Sequence, residues 1–242
     1  MAGPGPRGAL GTRPPRTGGP LVRNVYHDEL VGLVDTLVEM TQLAESAMTR
    51  ATTALLDADR ELAETVISAD SRIDQLQRDL EERAVDVLAR QSPVATDLRV
   101  VVTALRMSSS LERMGDLARH VAKLARLRHP EPVVPAELRA TVLQMGQVAE
   151  RIVAKAGSVI ATRDVQVAAQ IEVDDDEMDQ LHRQVFEQLL SRSWDHPTEV
   201  AVDLTLCSRY YERFADHAVS VAKSVVFLVT GSREEDVAAQ TV

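Results

Sequence analysis

A short segment of the chain recurs 100 residues further on. Residues 111–118 read LERMGDLA and residues 211–218 read YERFADHA, and the tripeptide VAK follows each copy at the same distance. A repeat with a constant offset indicates a duplicated folding unit. The chain is therefore constrained to fold into two similar halves.

The prolines show where helices can end, because proline lacks an amide hydrogen and is excluded from helix interiors. Beyond residue 20 they occur at position 93, in a cluster at positions 130, 132 and 135, and at position 197. Between these positions, apolar residues recur every three or four residues, which is the period of a packed helix face. The spacing predicts six long helices near residues 27–57, 60–90, 95–128, 136–162, 165–191 and 198–230.

Aromatic residues make up only 3% of the 242 residues, which favours helices packed through aliphatic side chains over sheets. The proline cluster divides the folded part into two halves of similar size. We therefore predict an all-α fold of two tandem, pseudo-symmetric three-helix bundles, residues 21–130 and 131–231. Residues 1–20 hold six of the 11 glycines and five of the 10 prolines, so we predict a disordered tail there, and a frayed tail at residues 232–242.

Charge and apolar content exclude several classes of partner. A net charge of −10 argues against nucleic acid, whose phosphates require clustered Lys and Arg. The single cysteine, Cys207, permits no intrachain disulfide, so a metal site would use oxygen or nitrogen ligands. The chain has neither an apolar run of about 18 residues nor a secretory signal, which predicts a cytoplasmic protein without membrane insertion.

Carboxylates spaced four residues apart occur in both halves. Residues four apart share one face of a helix, so each pair places two like charges side by side. Every pair lies beside the apolar seam, the line of apolar residues through which a helix packs on its neighbour, and on the same side of that seam. In two antiparallel helices, positions on the same side of the seam face each other. The pairs are Asp70 with Asp74, Glu112 with Asp116, Asp175 with Asp179, and Glu212 with Asp216.

The two pairs of each half are also expected to lie at the same distance from the turn of their helical hairpin. Residues of a helical hairpin at equal distance from the turn lie level, and the midpoint between the first two pairs is Pro93. The midpoint between the second two pairs falls between Asp195 and His196, just before Pro197. Four carboxylates at one level repel each other unless they are neutralised, and a hard cation bound through oxygen is the usual remedy. The sequence therefore predicts one metal site in each half, formed by these eight residues.

Other interpretations of the acidic residues remain open. They could be solvent-exposed residues beside the packed face of the helix, forming ion pairs with basic residues of neighbouring turns, namely Arg78, Arg113 or Lys123. His120 and His182 lie four and three residues after an acidic residue of a pair, at spacings that could add a nitrogen ligand. Gln77, Glu81 or His182 could also share or replace the role of the upstream pairs.

The segment SPVATDLR at residues 92–99, followed by LERMGD, resembles the signature of PhoU proteins, and YERFADHA resembles their C-terminal signature. The resemblance covers about residues 24–230. It implies two three-helix bundles, divalent or ferric ions such as iron or zinc at the acidic motifs, and a homodimer. It also implies negative regulation of phosphate uptake and phosphate-starvation signalling, through contacts with the phosphate ABC transporter ATPase and its sensor histidine kinase.

Two departures from the family pattern bear on the metal ligands. Ala215 replaces the glycine that the first copy has at Gly115, and Gln77 and His182 stand where family members often carry an acidic residue. Asp97 and Arg99 match the family but lie too far along their helix to join the carboxylates. Asp97 is therefore expected either to complement the helix dipole or to bind a partner.

The sequence favours a regulator that is not an enzyme, because it shows no nucleotide-binding loop and no Ser-His-Asp set. One alternative is a di-iron carboxylate oxidase, but the Glu-x-x-His motif of that class is missing. Another is a helical scaffold, whose acidic ridges could bind metal for structure alone or bind nothing.

Overall fold

The computed structural model describes residues 20–232, and the all-α prediction is confirmed for them. Apart from Pro20 and Ser232, the predicted tails at residues 1–20 and 232–242 lie outside the described residues. None of the described helices is both long and apolar enough to cross a membrane. The helices are α1 (Pro20–Asp57), α2 (Arg60–Ala69), α3 (Ser71–Gln91), α4 (Thr96–Arg128), α5 (Arg139–Thr162), α6 (Val165–Leu189) and α7 (Thr198–Thr230), with a short 3₁₀ turn at Ala136–Leu138.

Helix boundaries follow local capping chemistry. Asp59 begins α2 by accepting a hydrogen bond from the amide of Leu62 at 2.9 Å, and Asp164 caps α6 in the same way. At the other ends, Ser92, Arg163 and Gly231 adopt left-handed backbone angles that close α3, α5 and α7. The predicted turn centres at Pro93 and before Pro197 both fall between the helices that they were expected to join.

The second predicted helix differs from expectation, because it is divided at Asp70 into α2 and α3. We expected Asp70 to lie beside the apolar seam and not within it. The structure reverses this: Ala69 is exposed and Asp70 is only 6% exposed. The physical reason is the spacing, since Asp70 lies four residues after buried Val66 and three before buried Ile73 and so occupies a core position of the helix.

The two halves share one continuous hydrophobic core. Helices α1 and α4 of the first half pack against α5 and α7 of the second. Within this core the hydroxyl groups of Thr52 and Tyr211 lie 2.7 Å apart, and Thr52 also donates to the carbonyl oxygen of Met48 at 2.8 Å. Arg128 of α4 pairs with Asp203 of α7. The halves are therefore fixed to each other by packing and by buried polar contacts.

Arg99, a residue of the PhoU-like segment, lies at another junction of the halves. A Cβ added to Gly231 would come within 2.5 Å of its Nη1 atom, so the guanidinium lies directly against the backbone at the end of α7. A positive charge at a helix C-terminus is stabilising. Asp97 lies in the first turn of α4, where a negative charge has the matching effect.

We predict that Tyr211→Phe lowers the free energy of unfolding by about 1 kcal/mol, because it removes a buried hydrogen bond between the halves. Tyr210→Phe is the matched control, since Tyr210 is the preceding residue on the same helix and is partly exposed. Urea unfolding followed by circular dichroism measures both. Equal losses for the two variants would contradict a stabilising role for the bond between Thr52 and Tyr211.

Candidate metal centres

The structure brings together the four predicted carboxylates of the first half. Asp70 and Asp74 lie at the start of α3, and Glu112 and Asp116 lie on the facing stretch of α4. Burial raises the pKa of Glu112, and the charges of Asp116, Asp74 and Asp70 raise it further against the opposing effect of Arg113. Asp70, Asp74 and Asp116 therefore all lie close enough to Glu112 to act on it electrostatically.

A guanidinium group links this first cluster internally. Arg119 on α4 pairs with the buried Asp70 at 2.8 Å and also with Asp116. Arg113 approaches Asp116 at 3.3 Å and Glu112 at 3.6 Å. Burial raises the pKa of Asp70, and Arg119 opposes that rise. The first cluster is thus partly neutralised by basic residues, as one of the alternative interpretations expected for Arg113.

The second half brings its four carboxylates together as well. Burial, followed by the charges of Asp216, Asp179, Glu212 and Asp176, raises the pKa of Asp175 to about 6. Its Oδ1 atom and the Oε2 atom of Glu212 are shielded from solvent, and neither has a hydrogen-bond partner among residues 20–232. The repulsion expected from the sequence therefore raises the pKa of Asp175 directly.

Two arginines lie at the edge of the second cluster. Arg209 pairs with Glu212, and Arg183 reaches Asp179 at 3.9 Å. Neither guanidinium joins a residue of α6 to one of α7, as Arg119 does between Asp70 and Asp116 in the first half. Asp216 is exposed, whereas its counterpart Asp116 is partly buried.

The two histidines considered as ligands are partly buried. The Nδ1 atoms of both His120 and His182 are shielded and lack a hydrogen-bond partner in the described part of the chain. Burial and the nearby Arg209 lower the pKa of His182, which favours the neutral imidazole that a metal ligand requires. The His120 ring stacks on Tyr210 at a centroid distance of 5.2 Å. Nitrogen ligation stays a prediction.

Sequence reasoning missed Arg119 and Asp174. Asp174 is 9% exposed and pairs with Lys155 at 2.7 Å and with Arg151 at 3.1 Å, both from α5. Its position three residues after Ile171 and four before Met178 was a signal for burial. Arg119 carried a weaker signal, its spacing of three residues from Asp116.

The donor set fits a hard cation in chemistry, but the side chains are not arranged as a preformed metal site. Within residues 20–232, no three His, Cys, Asp or Glu side chains are grouped so that they could hold one ion. Carboxylate oxygens are suitable ligands, and the shielded Asp175 Oδ1 and Glu212 Oε2 atoms lack a hydrogen-bond partner in the described part of the chain. Binding would require changes of side-chain rotamer. Metal binding by the eight acidic residues stays a prediction.

We predict that Asp175→Asn stabilises the metal-free protein at pH 7 by about 1–2 kcal/mol, a figure reduced for the partial exposure of the side chain. An aspartate ionises near pH 4 in an unfolded chain, whereas Asp175 ionises at about 6 in the fold. Folding stability therefore falls as the pH rises from about 4 through about 6. The variant, measured by urea unfolding in EDTA, should lose this part of the pH dependence.

Asp176→Asn is the control, because Asp176 is an exposed neighbour on the same helix. If Asp175→Asn and Asp176→Asn show the same pH dependence as the unmodified protein, the crowding of carboxylates around Asp175 has no energetic consequence and the interpretation fails.

Comparisons with known proteins support a single family. The model of the PhoU domain matches twice, at residues 37–125 and 142–225. The phosphate-specific transport system accessory protein PhoU homolog 2 of Mycobacterium tuberculosis is 49% identical over 211 residues, which cover 87% of this chain and 99% of that protein. PhoU homolog 1 of Mycobacterium leprae is 49% identical over 215 residues, which cover 89% of this chain and 97% of that protein.

Solved structures agree in fold. The crystal structure of PhoU from Pseudomonas aeruginosa superposes with a TM-score of 0.79 at 29% identity, over 86% of this chain and 100% of that one. The phosphate transport system regulatory protein PhoU from Streptococcus pneumoniae gives a TM-score of 0.78 at 26% identity, over 86% of this chain and 98% of that one. With a family model that matches both halves and curated relatives at 49% identity over most of its length, the chain belongs to the PhoU family.

Proposed function

We propose that this protein is a negative regulator of phosphate uptake and of phosphate-starvation signalling. The observation that carries the proposal is its similarity, over nearly the whole length of both chains, to proteins named as accessory proteins of the phosphate-specific transport system. In the proposed role it contacts the ATPase of the phosphate ABC transporter and the sensor histidine kinase that reports phosphate status. It acts through these contacts and not as an enzyme.

Three further features belong to the same proposal. The protein works in the cytoplasm, because an ATPase subunit uses ATP on that side of the membrane. It acts as a homodimer. Each half binds divalent or ferric ions through its acidic cluster, with Asp70, Asp74, Glu112 and Asp116 as the ligand residues of the first half and Asp175, Asp179, Glu212 and Asp216 as those of the second.

A bound cation would neutralise the crowded carboxylates and supply the positive charge that an acidic surface needs before it can attract phosphate. The protein's own residues determine where this can happen. In the helical hairpins α3–α4 and α6–α7 the carboxylates lie close enough to repel one another, and burial limits the solvent that would otherwise screen this repulsion.

The metal-site proposal predicts that a variant with Glu112, Asp116, Glu212 and Asp216 all changed to Ala loses most of its bound metal. Protein purified without chelator is analysed by inductively coupled plasma mass spectrometry. The control changes four exposed acidic residues elsewhere, Glu61, Glu82, Glu131 and Glu187, to Ala, which alters the net charge equally. Equal metal content in the two variants would remove the site proposal.

The regulatory proposal predicts that deletion of the gene relieves repression in phosphate-rich medium. Phosphate uptake and the activity of phosphate-starvation reporters should both rise, because the contacts that restrain the transporter and the kinase are lost. Expression of the intact gene from a plasmid should restore repression. Unchanged repression in the deletion strain would contradict the proposed function.

A further inference from the structure

The two acidic clusters are not equivalent, although they come from the same duplicated unit. In the alignment of the repeats, Arg119 of the first copy corresponds to Val219 of the second. Arg119 is the residue that joins Asp70 of the first hairpin to Asp116. A valine cannot form an ion pair, so the second hairpin lacks this internal cation.

The difference extends to packing around the clusters. A Cβ added to Gly115 would lie 3.2 Å from the Oδ1 atom of Asp70 and 2.8 Å from the Cδ1 atom of Ile73, so the absence of a side chain at Gly115 lets Asp70 lie close against α4. The second copy has Ala215 at the equivalent position, where a methyl group takes up that space. Correspondingly, Asp70 is buried while Asp175 remains partly exposed.

The Oδ2 atom of Asp70, the Oδ1 atom of Asp175 and the Oε2 atom of Glu212 are all shielded from solvent and without a hydrogen-bond partner within residues 20–232. The clusters differ instead in their ion pairs. In the first cluster, Arg119 approaches Asp70 at 2.8 Å and pairs with Asp116, so both carboxylates already face a cation of the protein. In the second cluster, Arg209 pairs with Glu212 on the same helix, and the Oδ1 atom of Asp175 lacks a hydrogen-bond partner within the described residues. Shielded carboxylate oxygens without partners are costly unless a cation or a donor supplies the missing contact.

We propose that Arg119 acts as a built-in competitor for metal in the first half, so that the cluster formed by Asp175, Asp179, Glu212 and Asp216 binds a divalent cation more tightly than the cluster formed by Asp70, Asp74, Glu112 and Asp116. This inference rests on the proposed metal sites. A guanidinium and a metal ion compete for the same carboxylate oxygens. A cation entering the first half must displace Arg119 from the buried Asp70 as well as from Asp116. In the second half Arg209 pairs with Glu212 alone, and within the described residues no arginine joins Asp175 to Asp216.

The experiment places at each of positions 119 and 219 the residue that the other repeat carries there. Chelator-stripped protein is titrated with Mn²⁺, a cation that accepts oxygen ligands, and free Mn²⁺ is counted by its electron paramagnetic resonance signal. The intact protein should show one tight class of sites and one class at least tenfold weaker. Val219→Arg should weaken the tight class at least tenfold, and Arg119→Val should strengthen the weak class at least tenfold.

Val219→Gln is the matched control, because it adds length at the same position without charge and should leave the tight class in place. Circular dichroism establishes that each variant is folded, and Arg119→Val alone tests the inference if Val219→Arg does not fold. Equal affinities in the two halves of the intact protein, or an unchanged weak class in Arg119→Val, would overturn the inference while leaving the metal sites themselves intact. A failure of every protein to bind Mn²⁺ would overturn both proposals.

Discussion

Repulsion between carboxylates held level on a helical hairpin is the constraint on which both halves of this protein depend. Two aspartates on one helix face two acidic residues on the next, and apolar packing limits the water that could screen them. A cation that pairs with the carboxylates offsets such repulsion. In the first half Arg119 pairs with Asp70 and Asp116, whereas in the second half Arg209 pairs with Glu212 and the Oδ1 atom of Asp175 has no hydrogen-bond partner among residues 20–232.

The two halves share a single core, and one charge of the first half reaches a histidine of the second. Burial lowers the pKa of His217 on α7, Arg213 and Arg113 lower it further, and Asp216 opposes them. Arg113 also pairs with Asp116 and Glu112 of the first cluster. Arg113 of the first half thus acts on His217 of the second half, which directly follows Asp216 in the sequence.

Much of the fold could be predicted from the sequence, because prolines and apolar spacing are local signals. The turns near Pro93 and Pro197 were placed correctly, and the pairing arithmetic brought Asp70, Asp74, Glu112 and Asp116 together as the structure has them. The break at Asp70 was missed, since neither proline nor glycine marks it. Arg119 and Asp174 were missed for a different reason: their partners depend on how the helices pack, and long basic side chains can reach several neighbours. Metal ligation does not follow from local spacing, because it depends on side-chain rotamers that a bound ion itself selects.

The central claim is that a cation completes the crowded carboxylate clusters. X-ray data collected from crystals of the metal-loaded protein, above and below the absorption edge of the metal, test it most directly. The account predicts an anomalous difference peak within about 2.0–2.6 Å of carboxylate oxygens of the cluster around Asp175 and Glu212. Peaks confined to other parts of the molecule, or no peak near any of the eight acidic residues, would contradict it.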